Sequence, residues 1–314
     1  MQKVFIDGQE GTTGLKIRER LVGRTDFELI EIDPLKRKNE AARRECLSSA
    51  DVAILCLPDQ ASRQAVELVR EHSTRLIDAS TAHRVAPGWA YGLPELSSTH
   101  REAICQARTV ANPGCHATGF ALGLYPLVKS GILGRDYPIF VNSLTGYSGG
   151  GKKVIAKVEG VGAASLWGMR PYALSLTHKH LPEMQHVVGL DYPPGFMPVL
   201  GPFYQGMIVS ILLENRLLSR RVTARDLHEV LAKYYAGEHF VRVMPFESDD
   251  VLDEGYLSPL DCNETNRAEV FVFGHDSQAL VAVRLDNLGK GASGAAIQSL
   301  NLMLDLPEAT GLVI

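Results

Sequence analysis

One cysteine and two histidines are the residues whose setting suggests chemistry. Cys115 lies in Ala111-Asn112-Pro113-Gly114-Cys115-His116. The Pro-Gly pair predicts a turn that delivers the thiol to the start of a helix running to about residue 130. A helix amino terminus lowers a thiol pKa and offers backbone N–H groups to a developing oxyanion. Asn112 and His116 flank this polar turn, whereas Cys46, Cys56 and Cys105 read as inert buried thiols and Cys262 sits near a charged loop. A thiol nucleophile needs a base, and Thr177-His178-Lys179-His180-Leu181-Pro182-Glu183 supplies two imidazoles and an acid. On an extended segment His178 and His180 share one face, so that one serves Cys115 and the other is oriented by Glu183. A metal site would need a third ligand that nothing nearby supplies, so no metal is expected. A plain pair of surface histidines is the competing reading.

A second constellation is the run Gly8-Gln9-Glu10-Gly11-Thr12-Thr13-Gly14 after the apolar Val4-Phe5-Ile6. Its G-x-x-G-x-x-G spacing departs from the usual G-x-G-x-x-G, yet strand, glycine turn, helix and strand follow in the order of a βαβ unit. Backbone N–H groups at such a helix start can cradle a pyrophosphate, with Thr12 and Thr13 adding hydroxyls. The next strand ends in Glu31-Ile32-Asp33-Pro34-Leu35-Lys36-Arg37-Lys38. Asp33 suits a ribose hydroxyl and hence NAD; Lys36 and Arg37 suit a 2′-phosphate and hence NADP, Arg37 being the better anchor through its two-pronged guanidinium. NADP is the preferred expectation, against a solvated charged loop. Arg84, after a strand end and the polar Ser80-Thr81-Ala82-His83 stretch, suits a phosphate, Lys152 and Arg170 are further candidate cations against solvated surface charges, and Ser148 and Gly149 after Tyr147 suit cofactor phosphates.

The elements that must hold these residues follow from pattern. Strands are expected at 27–32, 51–57 and 76–78, with helices from 15 to about 23 and 60 to 71, giving a doubly wound parallel sheet through roughly residue 110. Beyond Pro113, strand-like segments at 137–144, 206–214, 240–244, 269–274 and 278–286 suit a mixed or antiparallel sheet with helices against it. A Gly-, Ala- and Leu-rich helix over 290–305 ends the chain. With 314 residues, 45% apolar and 22% charged, the chain is an ordinary globular composition. Its net charge of −4, without a basic stripe, gives no reason to expect nucleic acid or an anionic membrane as partner. No apolar run approaches membrane-spanning length, the amino terminus reads as a first strand and not a signal peptide, and the odd cysteine count without C-x-x-C suits a reducing cytoplasm.

At these residues the chain resembles the N-acetyl-gamma-glutamyl-phosphate reductases, and their shorter second type in particular. The likeness rests on blocks in order: C-L-P-D at 56–59, L-I-D-A-S-T-A-H-R at 76–84, Y-G-L-P-E-L at 91–96, N-P-G-C at 112–115, G-Y-S-G-G-G-K at 146–152, H-K-H-L-P-E at 178–183, G-P-F-Y-Q-G-M at 201–207 and L-D-N-L-G-K-G-A-S-G-A-A at 285–296. The resemblance implies reduction of N-acetyl-L-glutamyl 5-phosphate by NADPH through a Cys115 thioester, with the base role in the histidine pair and His178 preferred. It implies a Rossmann-like NADP-binding domain, residues 1–113 plus 288–314, and an α+β catalytic and oligomerisation domain of the semialdehyde dehydrogenase and glyceraldehyde-3-phosphate dehydrogenase type, residues 114–287. Asn287 becomes a candidate contact to the nicotinamide carboxamide, Asn112 a substrate contact, and a homo-oligomer the expected assembly. Rival readings are a reductase of aspartyl phosphate or carrier-linked aminoadipyl phosphate, a nonenzymatic NADP-binding regulator, and a thiol hydrolase, which leaves the first domain without a task.

Overall fold

A computed structural model describes every residue of the chain except 161, 163, 247 and 248. The chain divides into two compact units, Met1–Gly114 with Ala292–Val313, and Cys115–Gly291 with Ile314. In the first unit the elements are β1 (Gln2–Asp7), α1 (Thr12–Leu21), β2 (Phe27–Ile30), α2 (Glu40–Ser49), β3 (Val52–Leu55), α3 (Asp59–Leu68), β4 (Arg75–Asp78), β5 (Ala90–Tyr91), α4 (Ser98–Gln106) and β6 (Thr109–Ala111). All the strands are parallel, in the order β2-β1-β3-β4-β6-β5. A parallel strand covered on both faces reads as an unbroken apolar run, and Val52, Ala53, Ile54 and Leu55 are all fully buried. The expected strands at 27–32 and 51–57 are real but shorter. Helices α2 and α4 escape the periodicity because each buries one side chain, Leu47 and Ile104. They are started instead by side-chain caps, Asn39 accepting from the Ala42 N–H and Ser97 from the His100 N–H.

The second unit opens with α5 (Cys115–Lys129) and continues through β7 (Phe140–Thr145), α6 (Gly151–Glu159), α7 (Ala164–Trp167), β8 (Arg170–Pro171), α8 (Leu181–Val188), β9 (Gly195–Leu200), β10 (Met207–Glu214), α9 (Ala224–Tyr234), β11 (Val241–Val243), β12 (Ala268–Gly274) and β13 (Gln278–Leu285). Its seven-stranded sheet is mixed, in the order β11-β12-β13-β10-β7-β9-β8. Helix α5 lies directly on this sheet. A Cβ on Gly119 would stand 2.6 Å from Val209 Cγ2, and one on Gly123 would meet Val281, Ile211 and Val283 at 3.2–3.3 Å. Only hydrogen at these positions lets helix and sheet approach so closely.

One residue inside α5 should break it. Pro126 has no N–H to give the carbonyl four residues back, which belongs to Leu122. Tyr235, just past α9 and buried, donates its hydroxyl to that carbonyl at 2.7 Å. The helix therefore keeps the bond count that proline removes, using a side chain from another element.

The last helix, α10 (Gly294–Met303), follows a π-helical turn over Gly289–Ser293 and returns to the first unit. Ala296, Ile297, Leu300 and Met303 join Val4, Ile6, Val52, Ile54 and Ile77 in one apolar cluster. The nucleotide-type sheet thus gets part of its cover from a segment far along the chain. Tyr235→Phe should lower unfolding free energy by roughly 1–3 kcal/mol, the cost of leaving a buried carbonyl unpaired. In a Pro126→Ala background the same change should cost clearly less, because the helix can then satisfy Leu122 itself; urea unfolding of the four proteins checks it.

Candidate active site

In the first unit the glycine loop joins β1 to α1. Gly8 has φ +89°, and a Cβ there would sit 2.4 Å from the Cys56 carbonyl oxygen. Gly14 is equally constrained, its missing Cβ pointing 2.5 Å from the Gly8 carbonyl oxygen. Gly11 starts α1 with no side-chain cap, and the first turn carries no acidic residue. Thr12 and Thr13 are partly exposed on that turn. A helix start kept free of caps and negative charge, entered by backbone that no side chain obstructs, fits a dinucleotide pyrophosphate. Arg37 is exposed and reaches Glu10 of this loop at 3.1 Å, so the 36–38 segment borders the loop, while Lys36 is exposed beside it. Asp33 turns its carboxylate onto the Leu35 N–H at 2.9 Å. Sequence pattern did not single out Arg43, which clamps the buried Asp7 at the end of β1 with contacts of 2.7–3.3 Å.

The approach to Cys115 in this unit is tied down at Asn112. Its N–H donates to the Asp78 carbonyl at 2.8 Å, its carbonyl accepts from Arg84 Nε at 3.0 Å, and its Nδ2 donates to the Ala292 carbonyl at 3.0 Å. Arg84 also reaches the Ala79 carbonyl. Asn112, expected as a substrate contact, is 1% exposed, and its amide nitrogen is bonded to backbone.

In the second unit Cys115 is the first residue of α5 and is partly exposed. A Cβ on Gly291 would lie 2.7 Å from the Cys115 Cβ, so the glycine makes the room that the cysteine occupies. Burial pushes the Cys56 and Cys262 thiols up to about 12, and desolvation also raises Cys46 and Cys105; Cys105, expected to be buried, is exposed, and Cys262 beside the charged loop is buried. His178 and His180 lie together, ring centroids 4.7 Å apart and nearly perpendicular. The means differs from the expected extended segment. His180 is a turn residue with helical φ and ψ at the N-cap of α8, and the turn, not strand alternation, brings the rings together. The His180 N–H donates to Nδ1 of His178 at 3.2 Å, which leaves the neutral His178 ring carrying its proton on Nε2. Glu183 is buried in the first turn of α8, where a carboxylate meets the positive end of the helix.

A third imidazole completes this cluster. His116 is buried, with centroids 5.5 Å from His178 and 5.4 Å from His180, and Phe196 packs edge-on against His116 and His178 at 5.2 and 5.1 Å. Its Nδ1 meets Ser143 Oγ at 2.8 Å and its Nε2 meets the Tyr172 hydroxyl at 2.9 Å. Burial, then the neighbouring His178 and Lys179 charges, lowers the His116 pKa to about 3. Ser143, Tyr172 and Phe196 carry no motif; only the adjacency of His116 to Cys115 was readable. Among the described residues no group of three or more His, Cys, Asp or Glu could hold a metal ion.

Other expected contacts are placed as follows. Ser148 is buried and accepts from Asn287 Nδ2 at 3.0 Å, while Asn287 Oδ1 accepts from the Gly206 N–H at 2.8 Å. Asn287 is thus a strut between two loops with one amide hydrogen left over. Gly149 is exposed next to it. Lys152 is exposed on α6, and Arg170 is exposed on β8 with its guanidinium 3.9 Å from the Trp167 ring centroid.

Comparison with known proteins agrees with this architecture. The family model "Semialdehyde dehydrogenase, NAD binding domain" matches residues 3–107, and "Semialdehyde dehydrogenase, dimerisation domain" matches 115–287. The fold is shared with aspartate semialdehyde dehydrogenase II of Vibrio cholerae complexed with ASA (TM-score 0.72, 16% identity, 97% of this chain and 99% of that one). It is shared also with the Francisella tularensis aspartate semialdehyde dehydrogenase (TM-score 0.73, 15% identity, 96% and 100%). Fold and site therefore define an oxidoreductase of the semialdehyde dehydrogenase class, with a Rossmann domain for a nicotinamide nucleotide and an α+β partner. Similarity in sequence is more specific. The chain is 48% identical to N-acetyl-gamma-glutamyl-phosphate reductase 2 of a Nostoc species over 99% of both chains, and 46% identical to the reductase of Burkholderia ambifaria over 98% of this chain and 97% of that one. The chain belongs to the N-acetyl-gamma-glutamyl-phosphate reductase family. No helix among the described residues is long and apolar enough to cross a membrane.

His116 must be neutral in the fold but regains the ordinary histidine value of 6.5 when unfolded. Its contribution is whole above about pH 6.5 and is lost as pH falls from there towards 3, by roughly tenfold in the unfolding constant per pH unit. His116→Gln, which cannot take up a proton, should flatten that acid limb when urea unfolding is compared at pH 7, 5 and 4.

Proposed function

We propose that the chain reduces N-acetyl-L-glutamyl 5-phosphate to N-acetyl-L-glutamate 5-semialdehyde and phosphate, with NADPH as donor and Cys115 as nucleophile, a step of arginine biosynthesis. The observation that carries the reading is Cys115 at the head of α5, in the same unit as the paired imidazoles of His178 and His180. The names of relatives at 46–48% identity over nearly the whole chain supply the substrate.

His180 takes the thiol proton, and the thiolate attacks the acyl carbonyl. Backbone N–H groups at the start of α5 and the Nε2–H of His178 meet the oxyanion. The C–O bond to phosphate breaks, phosphate leaves with the proton held by His180, and an acyl thioester remains on Cys115. A nicotinamide nucleotide held by the glycine loop would supply the hydride for this carbonyl. Collapse of the tetrahedral species then breaks the C–S bond and frees the aldehyde and the thiolate. In this reading His178, preferred from sequence as the base, becomes the donor, because its Nδ1 is engaged by the His180 N–H. Glu183 holds the start of α8 that carries the pair. Gly8, Gly11, Thr12, Thr13 and Gly14 take the cofactor pyrophosphate, with Ser148 and Gly149 as further phosphate contacts and Asn287 as the carboxamide contact. Arg37, assisted by Lys36, takes the 2′-phosphate that distinguishes NADP, and Arg84, Lys152 and Arg170 are the cations for substrate phosphate and carboxylate.

We assign the assembly to the open face of the seven-stranded sheet. Phe140 and Leu212 are paired across β7 and β10 and are 70% and 55% exposed, and Met197 of β9 is 48% exposed. An apolar sheet face of this kind suits a second copy of the chain.

Phosphate-dependent reduction of NADP with N-acetylglutamate semialdehyde, run beside aspartate semialdehyde, tests the reaction. Turnover on the acetylated substrate should fall at least a thousandfold in Cys115→Ala. Preference for the aspartyl compound would reject the substrate. His180→Ala should slow alkylation of Cys115 at neutral pH, whereas His178→Ala should spare alkylation and lose turnover; the reverse pattern restores His178 as base. Arg37→Ala should raise KM for NADPH roughly ten- to hundredfold and leave NADH nearly unchanged. Leu212→Glu should shift the light-scattering mass from oligomer to monomer, and an unchanged mass would reject that face.

A further inference from the structure

We propose that Asp78, His83 and Arg84 form a clamp on the backbone of Asn112, making His83 and Arg84 positioning residues for the Cys115 thiol. The inference rests on the assignment of Cys115 as the nucleophile, and it gives Arg84 a task before any substrate arrives. Every link is a hydrogen bond within the first unit. The Asn112 N–H donates to the Asp78 carbonyl at 2.8 Å, and the Asn112 carbonyl accepts from Arg84 Nε at 3.0 Å. Arg84 Nη2 also donates to the Ala79 carbonyl at 3.3 Å. The fully buried Asp78 carboxylate accepts from the Ser80 N–H at 2.9 Å, the Ser80 hydroxyl at 2.7 Å and His83 Nδ1 at 2.6 Å. The His83 ring is stacked on Trp89, centroids 4.2 Å apart and 5° from parallel. Thr81 fastens the middle of the loop to Asp59 at the start of α3, through its N–H at 3.0 Å and its hydroxyl at 2.6 Å.

The 78–84 loop is thereby closed on itself, with His83 held to Asp78 while its neighbour Arg84 reaches across to Asn112. A carboxylate accepts only, so His83 Nδ1 is the donor. Taking that donor away leaves a buried charge short of a partner and loosens the loop that carries Arg84. Backbone then transmits the effect. Asn112 is gripped at both its N–H and its carbonyl, so the planes of the two peptides that flank it are fixed. Because proline follows, Asn112 is confined to extended backbone. Only Pro113 and Gly114 separate it from Cys115, the first residue of α5, and the proline ring locks its own φ. Positive charge at residue 84 does not suffice for this clamp. Arg84 grips two carbonyls with separate N–H groups of one planar fork, which an ammonium on a flexible stem does not reproduce.

The test is the rate of Cys115 alkylation by iodoacetamide at neutral pH without substrate, read by peptide mass spectrometry in the full-length protein. Arg84→Lys keeps the charge that a substrate phosphate would meet but loses the Nε donor. It should slow alkylation about tenfold, because a displaced thiol loses the helix-start N–H groups that favour its thiolate. A residue that serves the substrate alone would leave alkylation at the parent rate in Arg84→Lys, and that result overturns the clamp. His83→Leu should slow alkylation by a similar factor and lower kcat while KM for the semialdehyde stays nearly unchanged. His83→Asn, whose amide nitrogen stands near the place of Nδ1, should recover most of both losses; no recovery removes His83 from the clamp. His83→Leu combined with Arg84→Lys should lose little more than the worse single variant, and fully additive losses also overturn the proposal. A Cys115 inert in the parent protein sinks the thioester reading itself, and with it this inference.

Discussion

The thiol of Cys115 is placed by a missing side chain. Cys115 begins α5 at the point where Gly291 turns towards α10, and the 2.7 Å between the Cys115 Cβ and the position a Cβ would take on Gly291 leaves no room for error. The same helix is drawn onto its sheet by Gly119 and Gly123, so its axis is set by contact and not by loops. Its interior proline could have bent it away from the sheet, but the Tyr235 hydroxyl restores the lost bond. Three glycines, with a proline whose lost bond a tyrosine restores, thus fix where the thiol stands, and the imidazoles can be arranged around a rigid point.

Around that point burial divides labour among chemically equal groups. Three histidines share one cluster, yet His116 is desolvated until it holds no charge, whereas the His178 ring has its proton location set by a backbone N–H from His180. The cysteines are separated in part by the same means: burial pushes the Cys56 and Cys262 thiols up to about 12, whereas Cys115 heads a helix. Environment, more than residue type, decides which group reacts.

Much of this was legible before any coordinates. The parallel sheet announced itself through fully apolar strands such as Val52–Leu55, and Pro113-Gly114 announced the helix start at Cys115. Helices α2 and α4 did not, because a helix that buries one side chain leaves no periodic stripe. Histidines 178 and 180 were found through their spacing, but spacing suggested a strand where a turn does the work. Tyr172 and Ser143 stayed hidden since their partner is 56 and 27 residues away and neither residue type is rare. Asn112 and Asn287 stood out in sequence as ligand contacts, and the structure adds hydrogen bonds between their amides and the Ala292 carbonyl, the Gly206 N–H and the Ser148 hydroxyl, which no sequence pattern signals.

The return of α10 has a consequence for how the protein is made. The sheet of the first unit is complete in sequence by Ala111, yet Ala296, Ile297, Leu300 and Met303 belong to its apolar cluster. A ribosome delivers those residues only after the whole second unit has emerged. For most of translation, then, one stripe of that sheet waits uncovered, and the nascent chain must be protected from association until its last helix arrives.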